Sequence, residues 1–128
     1  MRKPLVAGNW KMNKLHREAM DLFHALIKRS EEIPHNVDVM VAPPAIYLSE
    51  MARMRTSQIH VGAQDVSSET GEGAFTGEFN AEMLKSASVT YAIVGHSERR
   101  QYHHENDELI GKKIRACAEA GITPVYCC

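Results

Sequence analysis

The chain has 128 residues, 44% of them hydrophobic, and a formal net charge of −1 at pH 7. That is enough for one compact domain with a core, and too evenly charged to mark a nucleic-acid or anionic-membrane surface. Its apolar runs are short, which excludes a hydrophobic membrane-spanning helix.

The start, Met1-Arg2-Lys3-Pro4, is basic, but the apolar stretch after it breaks at Gly8-Asn9-Trp10-Lys11, too early for a secretory signal. Leu5–Trp10 (LVAGNW) is apolar and compatible with a first strand. Leu15, Ala19, Leu22, Phe23, Leu26 and Ile27 follow the i, i+3, i+4, i+7 rule and predict an amphipathic helix. Pro34-His35-Asn36 breaks the chain, Val37–Pro43 is a second strand, and Pro43-Pro44 stops it. Ile46, Leu48, Met51, Ala52 and Arg55 lie in or beside the register of a shorter helix, and Ile59–Gln64 is a third strand.

The one long loop covers 65–79 and carries Gly71, Gly73 and Gly77. A short helix over Ala81–Ala87 leads to a fourth strand, Val89–Val94. The polar cluster His96-Ser97-Glu98-Arg99-Arg100 follows, opening a turn that Ser97 and Glu98 can carry into a helix. A strong helix over 106–120 has Asn106 as N-cap and Gly121 as its stop. Ile122–Cys127 is a fifth strand. Alternating strands and helices imply an α/β fold with a parallel sheet. Continuous apolar strands imply that both its faces are covered. Cys128 closes a strand with no helix after it, so the pattern fits either a five-strand open sheet lacking its last helix or the front part of a longer fold.

Chemistry in parallel α/β folds gathers at the carboxyl ends of strands. After the first strand come Asn9, Trp10, Lys11 and Asn13; after the third, Gln64 and Asp65; after the fourth, His96 to Arg100. Lys11 reads as a solvated loop lysine, as a cation for an anionic substrate, or as a Schiff-base nucleophile. His96 reads as a structural histidine, or as a neutral hydrogen-bond donor kept uncharged by helix-start amides. His16, His24, His103 and His104 read as surface residues. No phosphate-binding glycine loop follows the first strand, and no GxSxG elbow is present. Cys117, Cys127 and Cys128 form an odd set without CxxC or four-ligand spacing, which suits a cytoplasmic protein and predicts no metal site.

GNWKMN at 8–13, GAQDVS at 62–67, GAFTGE at 73–78 and VGHSERR at 94–100 closely resemble triosephosphate isomerase, in that family's order and spacing. This family is itself a standard illustration of catalysis by a neutral histidine. The resemblance implies the N-terminal part of a (β/α)8 TIM barrel: four βα units plus a fifth parallel strand, with residues 1–128 one incomplete domain whose barrel continues past Cys128. It implies cofactor-free interconversion of dihydroxyacetone phosphate and glyceraldehyde 3-phosphate through an enediolate, in glycolysis and gluconeogenesis. It implies His96 as electrophile and Lys11 as the charge-balancing cation. Asn9 and Lys11 match substrate-binding residues, Glu98 and Ser97 supporting ones, and Cys127, or Cys128 if the register slips by one, a cysteine packed behind the site. Thr76 matches the tip of the 65–79 loop that reaches the partner of a homodimer. Arg99 and Arg100 are expected to be structural.

The family's catalytic glutamate and phosphate loops fall beyond Cys128, so the 128-residue chain alone is expected to be inactive. Three rival readings are a non-catalytic assembly fragment, a receiver-like signalling domain phosphorylated on Asp65, and a Schiff-base aldolase built on Lys11.

Overall fold

Five short strands pair side by side in sequence order, every pair parallel, in a computed structural model that describes residues 3–128. Met1 and Arg2, half of the basic start, lie outside the described residues. The strands are β1 (Leu5–Asn9), β2 (Asp38–Ala42), β3 (Ile59–Ala63), β4 (Tyr91–Val94) and β5 (Thr123–Tyr126). The helices are α1 (His16–Lys28), α2 (Leu48–Arg53), α3 (Ala81–Ser86), α4 (Ser97–Tyr102) and α5 (Asp107–Ala120). Each crossover moves one strand further in the same direction, the winding of a barrel wall. A receiver-like domain would need its first strand between the second and third, so the order of this sheet overturns that reading.

Two sets of side chains alternate along the strands, as the period of 2 requires. On the helix-covered face, Val41, Val61, Ala63, Ala92 and Val94 join Phe23, Met51, Leu84, Ile110 and Cys117 in the main core. The other face buries Met40, Ala42 and Ile93, with Leu5, Tyr91, Val125 and Cys127 packed against them. Gly62 makes that second cluster possible. A Cβ there would sit 2.6 Å from the Met40 sulfur, so a larger residue would drive Met40 out of the space it fills. His60 lies on the same face, its ring edge-on to Tyr91 at 5.3 Å and Nε2 3.7 Å from the Asp38 carboxylate. Asp38 is itself held below the usual carboxylate range by its bond from the Lys3 ammonium at 2.5 Å.

Local signals place the helices with three corrections. Glu18 accepts from the Leu15 amide and closes the start of α1, which buries Ala19, Met20 and Phe23. Leu15 and Leu22, expected on the apolar face, are exposed: Leu15 is the cap, outside the helix, and Leu22 lies at the edge of the buried stripe. Ile46 is exposed because the chain after Pro44 first makes a 3-10 turn, Ala45–Tyr47, and enters α2 only at Leu48; Arg55 falls beyond that helix. The crossover from β4 to β5 carries two helices, not one, because the polar cluster after β4 forms α4. α5 starts at its Asn106 cap, whose side chain accepts from the Leu109 amide, and ends at Gly121 in the left-handed conformation. Among the described residues no helix is long and apolar enough to cross a membrane.

Candidate active site at the carboxyl ends of the strands

Lys11 follows β1 in an unusual backbone state, φ 54°, which side chains other than glycine seldom adopt. Three groups hold it there. Its amide donates to Asn9 Oδ1 at 2.9 Å, its carbonyl accepts from Gln64 Nε2 at 2.8 Å, and its ammonium bonds Glu98 Oε1 at 2.6 Å. An ammonium engaged by a carboxylate at that distance has no free lone pair to attack a carbonyl, which weighs against the Schiff-base reading.

β4 ends at Val94, and Gly95 after it, with φ of 76°, turns the chain sharply from strand to α4. Arg100 fastens that turn: Nε donates to the Gly95 carbonyl at 3.0 Å, and Nη1 donates to Asp107 Oδ1 at 2.9 Å. His96 is the N-cap of α4, and its Nδ1 accepts from the Glu98 amide at 3.1 Å. A nitrogen accepting from a backbone N–H carries no proton, which leaves the ring hydrogen on Nε2. A Glu98 carboxylate oxygen also lies 3.7 Å from Nδ1. The amide contact is the shorter, and the carboxylate is already engaged by Lys11. That bond from Lys11 holds the Glu98 carboxyl below the usual glutamate range, against the modest opposing effect of desolvation.

Asn9, Lys11, His96 and Glu98 line one cleft of about 430 Å³, together with Gln64, Asp65, Arg99, Tyr102 and His103. Ser97, expected beside them, is exposed as the first residue of α4. Thr76 lies exposed in the 65–79 loop, away from these strand ends in sequence. The loop is fastened at its base, where Asn80 Nδ2 donates to the Gly71 carbonyl at 2.7 Å and the Ser67 amide to the Phe79 carbonyl at 2.9 Å. Residues 71–78 are all exposed.

Sequence reasoning missed the layer beneath the cleft. Lys113 of α5 is buried and bonds Asp65 at 2.7 Å and Glu105 at 3.0 Å. Arg99 bonds the same two carboxylates, at 3.1 and 2.6 Å. Burial raises the Asp65 carboxyl above its usual range despite both cations. Burial also pushes the Glu105 carboxyl upward, but the bonds from Lys113 and Arg99 together bring it below the usual value. Asp65 is thus enclosed by cations of its own chain. The advance signals were that Asp65 and Arg99 stand at strand ends and that Arg99 was expected to be structural; nothing pointed to Lys113 or Glu105. Burial pushes the Cys117 thiol up to about 11 and raises Cys127 as well, so neither is poised as a thiolate. No three His, Cys, Asp or Glu side chains among the described residues converge as metal ligands.

Comparison with known proteins puts this geometry in context. The model of the family described as triosephosphate isomerase matches residues 4–128. Similar curated proteins include the triosephosphate isomerase of Histophilus somni (strain 2336), 46% identical over an alignment of 127 residues that covers 98% of this chain and 49% of that protein. Those of Alkaliphilus oremlandii (strain OhILAs) and Vibrio parahaemolyticus are 42% and 44% identical, each aligned over 99% of this chain and 50% of their own length. The chain spans about half the length of the curated relatives it matches.

Proposed function

The chain belongs to the triosephosphate isomerase family, and from that premise we propose that its cleft supplies the carbonyl-polarising and charge-balancing half of a triose-phosphate isomerisation. The substrate pair is dihydroxyacetone phosphate and glyceraldehyde 3-phosphate, the setting the cytoplasmic reactions of glycolysis and gluconeogenesis. The observation that carries the reading is the His96 Nδ1 contact with the Glu98 amide, which leaves Nε2–H as a donor within the cleft that Lys11 and Asn9 also line.

Removing a proton from carbon beside a carbonyl builds negative charge on oxygen, and donors already aimed at that oxygen lower the barrier. In this reading His96 Nε2–H meets the developing enediolate oxygen and exchanges protons with it. The Lys11 ammonium, oriented by Glu98, balances the charge, and the Asn9 amide contributes a neutral contact. Ser97 acts only through the helix start that presents His96. The carbon base is a glutamate that the family pattern places outside these 128 residues. The reaction draws on proton transfer alone, without cofactor or metal. A homodimer forms through the 65–79 loop, with Thr76 reaching the partner subunit.

The test joins residues 1–128 to the portion of the Histophilus somni relative that the chain does not cover. A coupled assay then follows conversion of glyceraldehyde 3-phosphate to dihydroxyacetone phosphate. Turnover is expected. A folded chimera without turnover would overturn the assignment.

A further inference from the structure

We propose that His60 is a pH-sensitive tie at the amino ends of the strands. On taking a proton it draws Asp38 away from Lys3, which moves a side-chain bond from the β1–β2 seam to the β2–β3 seam. The device lies at the opposite end of the sheet from the cleft and does not rest on the proposed function.

An imidazole turned toward a buried face needs partners for its nitrogens. Those of His60 have none: Nδ1 and Nε2 are both closed off from solvent without a hydrogen bond among the described residues. The side chain as a whole is 16% exposed. Its register partner Met40 is fully buried, and the Tyr91 ring stands edge-on to it at 5.3 Å. The counter-charge within reach is Asp38 Oδ1, 3.7 Å from Nε2. That is too far for a bond, but a side-chain adjustment of about 1 Å makes one.

The same oxygen is already taken. Lys3 Nζ donates to Asp38 Oδ1 at 2.5 Å, and two cations drawn to one oxygen repel each other. The competitors differ in what they lose. The Lys3 side chain is 40% exposed, so its ammonium returns to water at little cost. A His60 imidazolium has no such recourse, and a buried charge without a counter-ion is the more expensive arrangement. Neutral His60 therefore leaves Asp38 to Lys3, and protonated His60 claims it. Asp38 is charged at the outset: the Lys3 bond holds its carboxyl below the usual range, far under the region around pH 6.5 where histidine ordinarily titrates.

Among the described residues, three titratable groups face the ring from the elements around it. They are Lys3 from the segment before β1, Asp38 from β2 and Tyr91 from β4. Burial, and then Asp38, raise the Tyr91 phenol above its ordinary range, so it stays neutral. β5 brings Thr123, in register with Tyr91, which does not titrate. The two seams respond in opposite directions. Across β1–β2 the Asp38 amide donates to the Pro4 carbonyl at 2.9 Å, beside Lys3. Across β2–β3 the Val39 amide donates to the Gln58 carbonyl at 2.8 Å. Release of Lys3 loosens the first bond, and a His60–Asp38 bond braces the second. β1 is also the strand that carries Asn9 and Lys11 at its far end.

The experiment follows the 128-residue chain by NMR from about pH 8 to about pH 5, on either side of the ordinary histidine range. The forms are wild type, His60→Phe, His60→Gln and Asp38→Asn. Three quantities are read: the ring nitrogen shifts of His60, the Lys3 Cε and Hε shifts, and the protection factors of the Asp38 and Val39 amides. In wild type the Lys3 signals are expected to move to free-lysine values with the same midpoint as the His60 ring. Asp38 protection should fall by about threefold or more on that step, while Val39 protection holds or rises. Both His60 variants should keep the Lys3 signals fixed across the range. Asp38→Asn should show free-lysine values at every pH and a lower His60 midpoint. A merely structural histidine gives no step at Lys3. Lys3 signals that stay put while His60 titrates overturn the proposal, since one carboxylate would then hold both cations. So does a Lys3 step that survives in either folded His60 variant. So does loss of the wild-type sheet on the same step, because no second tie would have formed. If neither His60 variant folds, the wild-type step and Asp38→Asn decide.

Discussion

Lys11 and Glu98, 87 residues apart in sequence, meet at 2.6 Å where β1 and β4 end. Both side chains are about half exposed, 52% and 42%, so the pair is screened and adds little to global stability. Its effect is local. The lowered Glu98 carboxyl contributes in the charged form, fully above the unfolded glutamate value of about 4.3, and loses that contribution as pH falls through the lower folded value. An NMR titration should place the Glu98 midpoint below that reference, and Lys11→Met should return it upward. An unmoved midpoint would dissociate the two residues.

His96 caps α4 through Nδ1 and keeps Nε2 for the cleft. In the chimera, His96→Gln retains a polar side chain but loses the imidazole's capacity to exchange protons. Turnover should fall by roughly 10²–10⁴-fold with a much smaller change in KM, the pattern of an interaction made chiefly in the transition state. Near-normal turnover would remove His96 from the chemistry.

Much of this geometry was legible because the strands read as unbroken apolar runs, Val37–Pro43 against the observed Asp38–Ala42, although the expected cover on both faces holds only for β2, β3 and β4, the edge strands β1 and β5 being exposed or half-buried. α5 was legible because Asn106 and Gly121 mark its ends chemically. α4 was only hinted at, since SERRQY carries no apolar period and the helix is held by the bonds of Arg99 to Asp65 and Glu105 and of Arg100 to the Gly95 carbonyl. Leu22 and Ile46 show the reverse error: apolar at a plausible register, yet exposed. At the site, His96, Lys11, Asn9 and Glu98 stood out as unusual side chains at strand ends. Gln64 and Lys113 did not. An amide gives no signal until its two acceptors are known, and a helical lysine reads as a surface residue until Asp65, 48 residues away, is found against it.

Supplied with His96, Lys11 and Asn9 but, on the family pattern, without the carbon base, the 128-residue chain should not isomerise triose phosphates on its own. Polarising a carbonyl does not remove the neighbouring proton; the two groups act as a unit and their losses are far from additive. The same coupled assay, run on the purified chain at concentrations matched to the chimera, is the check. Family-like turnover would mean that one of the chain's own carboxylates serves as base.

Lys113 offers the largest stability effect. It is 5% exposed, and one of its partners, Glu105, has a side chain 2% exposed. In wild type, two cations face two carboxylates: Lys113 and Arg99 against Asp65 and Glu105. Lys113→Met keeps most of the aliphatic stem and removes one charge, leaving Arg99 alone to serve both acids. Breaking a buried pair from one side costs about 3–5 kcal/mol, because the abandoned carboxylate stays out of water. Urea denaturation near neutral pH should show that loss, and Lys113→Met combined with Asp65→Asn should recover part of it. The pH dependence separates charge from packing. Asp65 already titrates above its usual range through burial and Glu105 below its own through its two cations, and losing one cation moves both carboxyls upward. As pH falls the acids protonate and no longer need the cation, so the difference between wild type and variant should shrink toward acid pH. An equal loss at pH 4 and pH 7 would assign the effect to the packing of the lysine stem instead.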